Sequence, residues 1–480
     1  VFKESRCWLW PLALLVVTTT VNAAEYFVAP QGSDANDGSR TRPWGSVEHA
    51  VAQLQAGDYL YLRAGRYPLE QDLVLAQSGA PHAPITLTTL PDEHQQAVLA
   101  GAGLAVLGQS HIRIAGLSIE DPSYQTGRGV GIYIEGANDR VVSDVVVEEN
   151  HIVNSESSGI AVWGVPWGSD PLDYHNIHQV SIKGNRIERA VNGGWNEVIT
   201  LANGVVDFAV EDNHISEGGD PSKGGEGIDL KEGVRDGRVC GNHIHGIHRR
   251  GIYLDGGGGL PGQDFGRKPT VENIDICNNR VHGIRELHDD RGRALFVGAG
   301  AMALMTEGTG DIRNIRIYNN LFFDNQEDGI LLYDHPGDTG KGSGRIEDVT
   351  IFNNTIVGNG RDGLHLNFPR IRELYIGNNI LFANRRRALN LYQGRATLSQ
   401  NLTRDPLFQG EALRAVASGS NSTPMLTAED FRLHHLSHAK GQGLRIIGKV
   451  DTATLPDYFG QSRRHRVDIG AIQAQPLASD

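Results

Sequence analysis

The chain has 480 residues, among them 60 Gly, 19 Pro and 3 Cys, and a formal charge of −13. So acidic a chain is a poor general binder of nucleic acid, which depends on Lys and Arg neutralising phosphates, and its Cys have no zinc-ligand spacing. Short Val/Ile/Leu runs recur along most of it, which argues against disorder, and the Gly have no collagen-like period.

Taken in chain order, residues 1–23 read as a secretory signal. Lys3 and Arg6 precede an apolar run from Trp8 to Val17, and Val21-Asn22-Ala23 supplies small residues at a cleavage position. The run is too short to anchor a chain across a bilayer, and no later segment has 18 consecutive apolar residues. The expectation is a monomer acting in the periplasm or secreted. Residues 24–84 form an N-terminal cap in which SVEHAVAQLQAG is an amphipathic helix stopped by Gly57. Residues 401–480 lose the pattern that precedes them and form an irregular C-terminal cap with turns around DPLF, DFRL and DIGA.

Between the caps, over roughly residues 85–400, the chain repeats. Inward apolar positions lead, two residues on, to Asn150, Asn185, Asn213, Asn242, Asn279, Asn320, Asn354 and Asn379, at intervals of 25 to 41 residues. Each unit carries a further short strand, such as GIAVWG, GIDLKEG, GIYLDG or GILLYD. Period-two segments between Gly/Asn turns predict strands. One such coil cannot bury its own edges, whereas stacked coils can, with the Asn amides forming a ladder. The predicted fold is therefore all-β: a right-handed parallel β-helix. A leucine-rich repeat would need a helical pattern and a more regular spacing, and a propeller more strands per unit.

Strand alternation places Ile228 and Leu230 inward and Asp229 and Lys231 outward. The same arithmetic predicts two outward columns. One runs Tyr133, Ala161, Thr200, Asp229, Tyr253, Leu304, Leu331, His365, Asn390. The other runs Glu135, Trp163, Ala202, Lys231, Asp255, Thr306, Tyr333, Asn367, Tyr392. Trp163, Asp255, Tyr333 and His365 are candidate substrate contacts, since aromatic faces stack on sugar rings. Long excursions, among them PWGSDPLDYHN, GGGGLPGQDFGRKP and HDDRGRALFVGAG, gather around the middle coils.

Glu197 and Glu226 hold equivalent places before adjacent strands, with Asp229 in reach. Such a carboxylate group suits Ca²⁺, against the plainer reading of solvated turn residues. Lys231 is a candidate general base, or else a surface lysine paired with Asp229 or Asp255. Arg250 and Tyr253 on the next coil, with His248 and Arg249 nearby, are candidates to neutralise a substrate carboxylate or assist a leaving oxygen. His243, His245, His248, His282 and His288 are read as scattered by alternation and turns, which disfavours a zinc site. Cys240 and Cys277 share one outward register on successive coils and form either a disulfide or two stacked thiols.

The repeats resemble those of right-handed parallel β-helix proteins that act on polysaccharides. The stretch NGGWNEVITLANG…VEDNHI…GGEGIDLKEG is similar to the core of the chondroitinase B and alginate lyase family. That resemblance implies a calcium carboxylate at Glu226 and a lysine base five residues on, at Lys231, with Glu197 near the preceding acidic strand. The sequence departs from the family where it has Asp255 in place of an arginine. Pectate lyases with a lysine base and aspartate-bound calcium are similar in outline. The implied activity is β-elimination in an anionic, uronate-containing polysaccharide. A glycoside hydrolase using Asp229 and Asp255, a uronate epimerase and a non-catalytic glycan-binding protein are the alternatives.

Overall fold

The computed structural model describes residues 23–166, 176–193, 196–220, 224–257, 269–286, 291, 298–334, 344–410, 413, 426–463 and 467–474. The signal segment, apart from Ala23, and most of the mid-chain excursions lie outside these residues. Three long parallel sheets run the length of the molecule, one of 13 strands and two of 11. Each coil contributes a strand to each sheet in turn. Val206–Glu211 lies in the first sheet, His214–Ser216 in the third and Ile228–Lys231 in the second, after which Arg235–Cys240 returns to the first. Successive strands in a sheet pair in register, as in Ile228↔Ile252 and Leu230↔Leu254. The result is a parallel β-helix.

The alternation of side chains explains why this sequence winds so. Ile199, Leu201, Ile228, Leu230, Ile252 and Leu254 are fully buried in one continuous core that also takes in Val210, Val239 and Ile276 of the first sheet and Ile215, Ile244 and Val281 of the third. Replacing one such Ile or Leu by Ala costs about 2–5 kcal/mol. The Asn ladder is present. The Asn213 Nδ2 donates to Asn242 Oδ1 at 3.0 Å, Asn242 to Asn279 at 3.0 Å, Asn279 to Asn320 at 3.0 Å and Asn320 to Asn354 at 2.9 Å. Each amide also closes the corner. The Asn242 Nδ2 donates to the Val210 carbonyl, and its Oδ1 accepts the Asn213 backbone N–H. Residues just before the ladder, such as Asp212 and Asn278, adopt positive φ, which Asn and Asp tolerate better than most. A second, shorter ladder joins Asn325, Asn359 and Asn384.

The helix foreseen in the N-terminal segment spans Val47–Gln53, and Ser46 caps it by accepting the His49 N–H. Val47, Ala50 and Val51 enter the main core. The coils begin well before residue 85, because Glu25–Val28 already pairs with Tyr59–Leu62 in the first sheet. The C-terminal segment departs further from expectation. Ile447 packs on Cys277, Tyr318 and Phe352, and Phe431, Leu433 and Ile469 pack with Leu321, Phe323 and Val357. Asn319 and Asn353 donate to the carbonyls of Pro456 and Asp468. These contacts run along the flank of earlier coils, where outward apolar residues needed cover, while Leu391 and Leu398 on the last coil stay 39% and 46% exposed. Cys240 and Cys277 are opposite each other in the first sheet and form a disulfide with a Cα–Cα distance of 4.5 Å.

Candidate active site

The second sheet carries the charged patch. Glu197 and Glu226 each lie two residues before paired positions, Ile199 and Ile228, and so occupy adjacent rungs. Asp229 is opposite Tyr253, and Lys231 is opposite Asp255. The Lys231 Nζ donates to Glu197 Oε1 at 2.9 Å and lies 3.0 Å from Asp229 Oδ2. The Thr200 hydroxyl holds the other Glu197 oxygen at 2.8 Å. Glu226 Oε1 faces Arg249 Nε at 3.1 Å and Arg250 at 3.6 Å. The Arg250 guanidinium lies over the Tyr253 ring, 5.2 Å from its centroid, and the Tyr253 hydroxyl donates to Glu307 Oε1 at 2.6 Å. Asp255 Oδ1 accepts the backbone N–H groups of Gly257 and Glu307.

Most of this is out of water, apart from Glu307 and part of Arg249. Glu197, Glu226, Asp229, Arg250, Tyr253 and Asp255 are buried, and the Lys231 side chain keeps 17% of its exposure. Burial pushes the Glu226 carboxyl up against the opposing charge of Arg249, and it pushes Asp229 well up against the opposing charge of Lys231. Burial alone lowers the Lys231 ammonium, but Asp229 and Glu197 outweigh it and hold the group well above its ordinary value. Burial, then the charge of Glu307, pushes Asp255 up to about 7. Tyr253 is raised well up by burial and by Asp255, so its phenol keeps its proton.

One direct observation favours a cation in this patch. Among the described residues, Glu226 Oε2 and Asp229 Oδ1 are buried and accept no hydrogen bond, a costly state that a metal ion relieves. Against that, Lys231 stands between Asp229 and Glu197, and the arginines take the other Glu226 oxygen. The carboxylates are thus balanced by cationic side chains.

The remaining predicted contacts spread along the same sheet. Trp163 lies two rungs before Lys231, buried with Val130, Ala161 and Ala202. Tyr333 is half-buried three rungs beyond Lys231, against Tyr253 and Met305. His365 is four rungs beyond Asp229, about 19 Å at the usual strand spacing, and sits 3.3 Å from Asp328 instead. One rung was read a residue out of step. Ala303 and Met305 occupy the outward columns, and Leu304 and Thr306 are buried beneath. MALM is apolar in either register, so its pattern holds no information on which face is which. Tyr392 also leaves its column, since Asn367 pairs with Gln393 across a bulge. Glu307, Thr200 and the Arg249 pairing were not foreseen. Glu307 follows the strand whose register was ambiguous.

Residues 26–165 match the family model described as Pel9A-like, right handed beta helix region. Among curated relatives, the chain is 24% identical over 334 residues to the uncharacterized protein YwoF of Bacillus subtilis (strain 168), an alignment covering 60% of this chain and 66% of that protein. It is 35% identical over 85 residues to pectate lyase PEL9 of Emericella nidulans, covering 18% of this chain and 20% of that one. The chain thus spans less than two thirds of the length of either relative. Among solved structures, that of pectate lyase Pel9A superposes with a TM-score of 0.54 at 17% identity, covering 94% of this chain and 96% of the other. XylC in complex with xylose superposes with a TM-score of 0.56 at 11% identity, covering 93% and 98%. The fold is a right-handed parallel β-helix.

Proposed function

We propose that this protein is an exported polysaccharide lyase that cleaves a uronate-containing glycan by β-elimination, with Ca²⁺ held by Glu197, Glu226 and Asp229. The observation that carries the reading is Lys231, a partly exposed member of a largely buried charged patch, fixed between two carboxylates on the outer wall of the coil. The family match and the resemblance to pectate lyases support it.

Elimination breaks the C5–H bond and the C4–O bond of a uronate, forms a C4=C5 double bond and delivers a proton to the departing oxygen. Calcium, when bound, supplies positive charge that draws the substrate carboxylate and acidifies the C5 proton. Lys231 takes that proton at Nζ, which requires the neutral amine. Glu197 and Asp229 orient the amine but also favour its charged form, so their charge has to be engaged elsewhere for Lys231 to act as a base. The Tyr253 phenol, kept protonated and oriented by Glu307, is the donor for the leaving oxygen. Arg250 lies over that ring and neutralises charge developing beside it. Trp163, Asp255, Tyr333 and His365 define a line along which successive sugars lie.

A second reading has its own observation. Asp255, pushed up to about 7, keeps its proton near neutrality as the general acid of a glycoside hydrolase does, with Asp229 as its partner. Product analysis on alginate, pectate, chondroitin, dermatan, hyaluronan and heparan separates the two. Elimination gives unsaturated ends that absorb in the ultraviolet and weigh one water less than hydrolysis products.

A further inference from the structure

The third sheet carries a group of histidines on a different face from the Lys231 patch. His214, His243, His245 and His282 come from three consecutive strands, His214–Ser216, His243–His245 and Arg280–His282. Their central residues Ile215, Ile244 and Val281 are fully buried, so the flanking rings project outward. The pairing is direct: His214 lies opposite His243, and His245 opposite His282. The sequence pattern alone read His243, His245 and His282 as scattered, and the register overturns that. HIS, HIH and RVH stack in step, so alternation gathers the rings onto one face.

The ring nitrogens converge. His214 Nε2 is 2.9 Å from His245 Nε2, and His243 Nε2 is 2.9 Å from His282 Nε2. One nitrogen each from His214, His243 and His245 lies within 4.8 Å of the other two. The His214 and His243 rings stack at 4.8 Å, and the Phe323 ring covers His282 at 4.7 Å. Burial first, and then the Arg280 charge, keep His243 neutral, leaving lone pairs available.

We propose that His214, His243 and His245, with His282 at the rim, form a binding site for a borderline divalent transition metal of the zinc class. Two ligands on a tetrahedral Zn²⁺ at about 2.0–2.1 Å lie about 3.3 Å apart, so small ring rotations convert the 2.9 Å contacts into a ligand set. Imidazole nitrogen selects zinc, nickel or copper over calcium, which takes oxygen. Such an ion joins the coil of His214 to that of His243 and His245, one step before the two coils that the Cys240–Cys277 disulfide links on the neighbouring sheet, and so acts as a staple independent of the Lys231 chemistry. Arg280, 2.9 Å from His243 Nδ1 and 3.0 Å from its Nε2, is the element that opposes metal entry.

The test is calorimetric titration of the metal-stripped full chain with ZnCl₂ in excess Ca²⁺, with Co²⁺ absorption as a second readout. The site predicts one Zn²⁺ per chain and a raised melting temperature. It also predicts binding weakened at least about tenfold in His245→Gln and strengthened in Arg280→Gln. Absence of saturable Zn²⁺ binding, or equal affinity in His245→Gln, overturns it. If His245→Gln does not fold, the wild-type Co²⁺ spectrum decides: intense tetrahedral bands support the site, and the spectrum of hydrated Co²⁺ contradicts it.

Discussion

Lys231 and Asp255 face each other across adjacent rungs, and both lie above their ordinary values for different reasons. Burial lowers the Lys231 ammonium but Asp229 and Glu197 outweigh it, whereas burial itself, then the charge of Glu307, raises Asp255. The proposed lyase predicts that Glu226→Gln, which removes a calcium carboxylate, lowers activity at limiting Ca²⁺ by about tenfold or more and is partly rescued by excess Ca²⁺; initial rates across a calcium series check this. Asp255 also carries a stability prediction. Its folded value, about 7, lies above its unfolded one. Between those values the folded chain holds a proton that the unfolded chain has lost, so stability falls as pH rises through the window. Asp255→Asn keeps the acceptor for Gly257 and Glu307 but has no charge to bury. It is expected to be more stable than the parent by on the order of a few kcal/mol above about pH 7, a gain that vanishes near about pH 4. Urea denaturation at the two pH values measures it.

The Asn corners and the disulfide act at the scale of the coil. Asn242 satisfies Val210, Asn213 and Asn279 at once, all inside the protein. Asn242→Ala strands those groups and is expected to destabilise by at least about 2 kcal/mol, read as a lower denaturation midpoint. Asn242→Asp does not preserve the corner either, since a carboxylate cannot donate to the Val210 carbonyl. The disulfide closes a separation of 37 residues. The chain-entropy argument gives it up to about 4 kcal/mol, so Cys240→Ser/Cys277→Ser is expected to lower the melting temperature under non-reducing conditions while leaving Lys231 in place.

For the molecule as a whole, legibility followed polarity contrast. Where apolar and polar residues alternate, as in IDLK and IYLD, the sequence was enough to predict inward and outward faces, and with them the two neighbouring columns that carry Asp229 with Tyr253 and Lys231 with Asp255. Where contrast vanishes, as in MALM, the register slipped by one and Glu307 was missed. The histidine face was missed for a different reason. Rings on separate coils meet only when the coils stack in step, and the variable insertions hid that step. The C-terminal segment was misjudged because its partners, Tyr318 and Phe352, are outward residues that look like solvent-facing aromatics until the flank is covered. His365 was assigned by column alone, and the length of the sheet carries it away from Lys231 toward Asp328 and Asp362.

The central claim is that Lys231, held on the outer wall by Glu197 and Asp229, removes a proton from a uronate. Its most direct test is mass spectrometry of the products released from uronate polysaccharides by the wild-type chain and by a folded Lys231→Ala variant. Proton abstraction by Lys231 gives unsaturated oligosaccharides, one water lighter than hydrolysis products, from the wild type and none from the variant. Products of hydrolytic mass from the wild type, or unsaturated products undiminished in the variant, would contradict it.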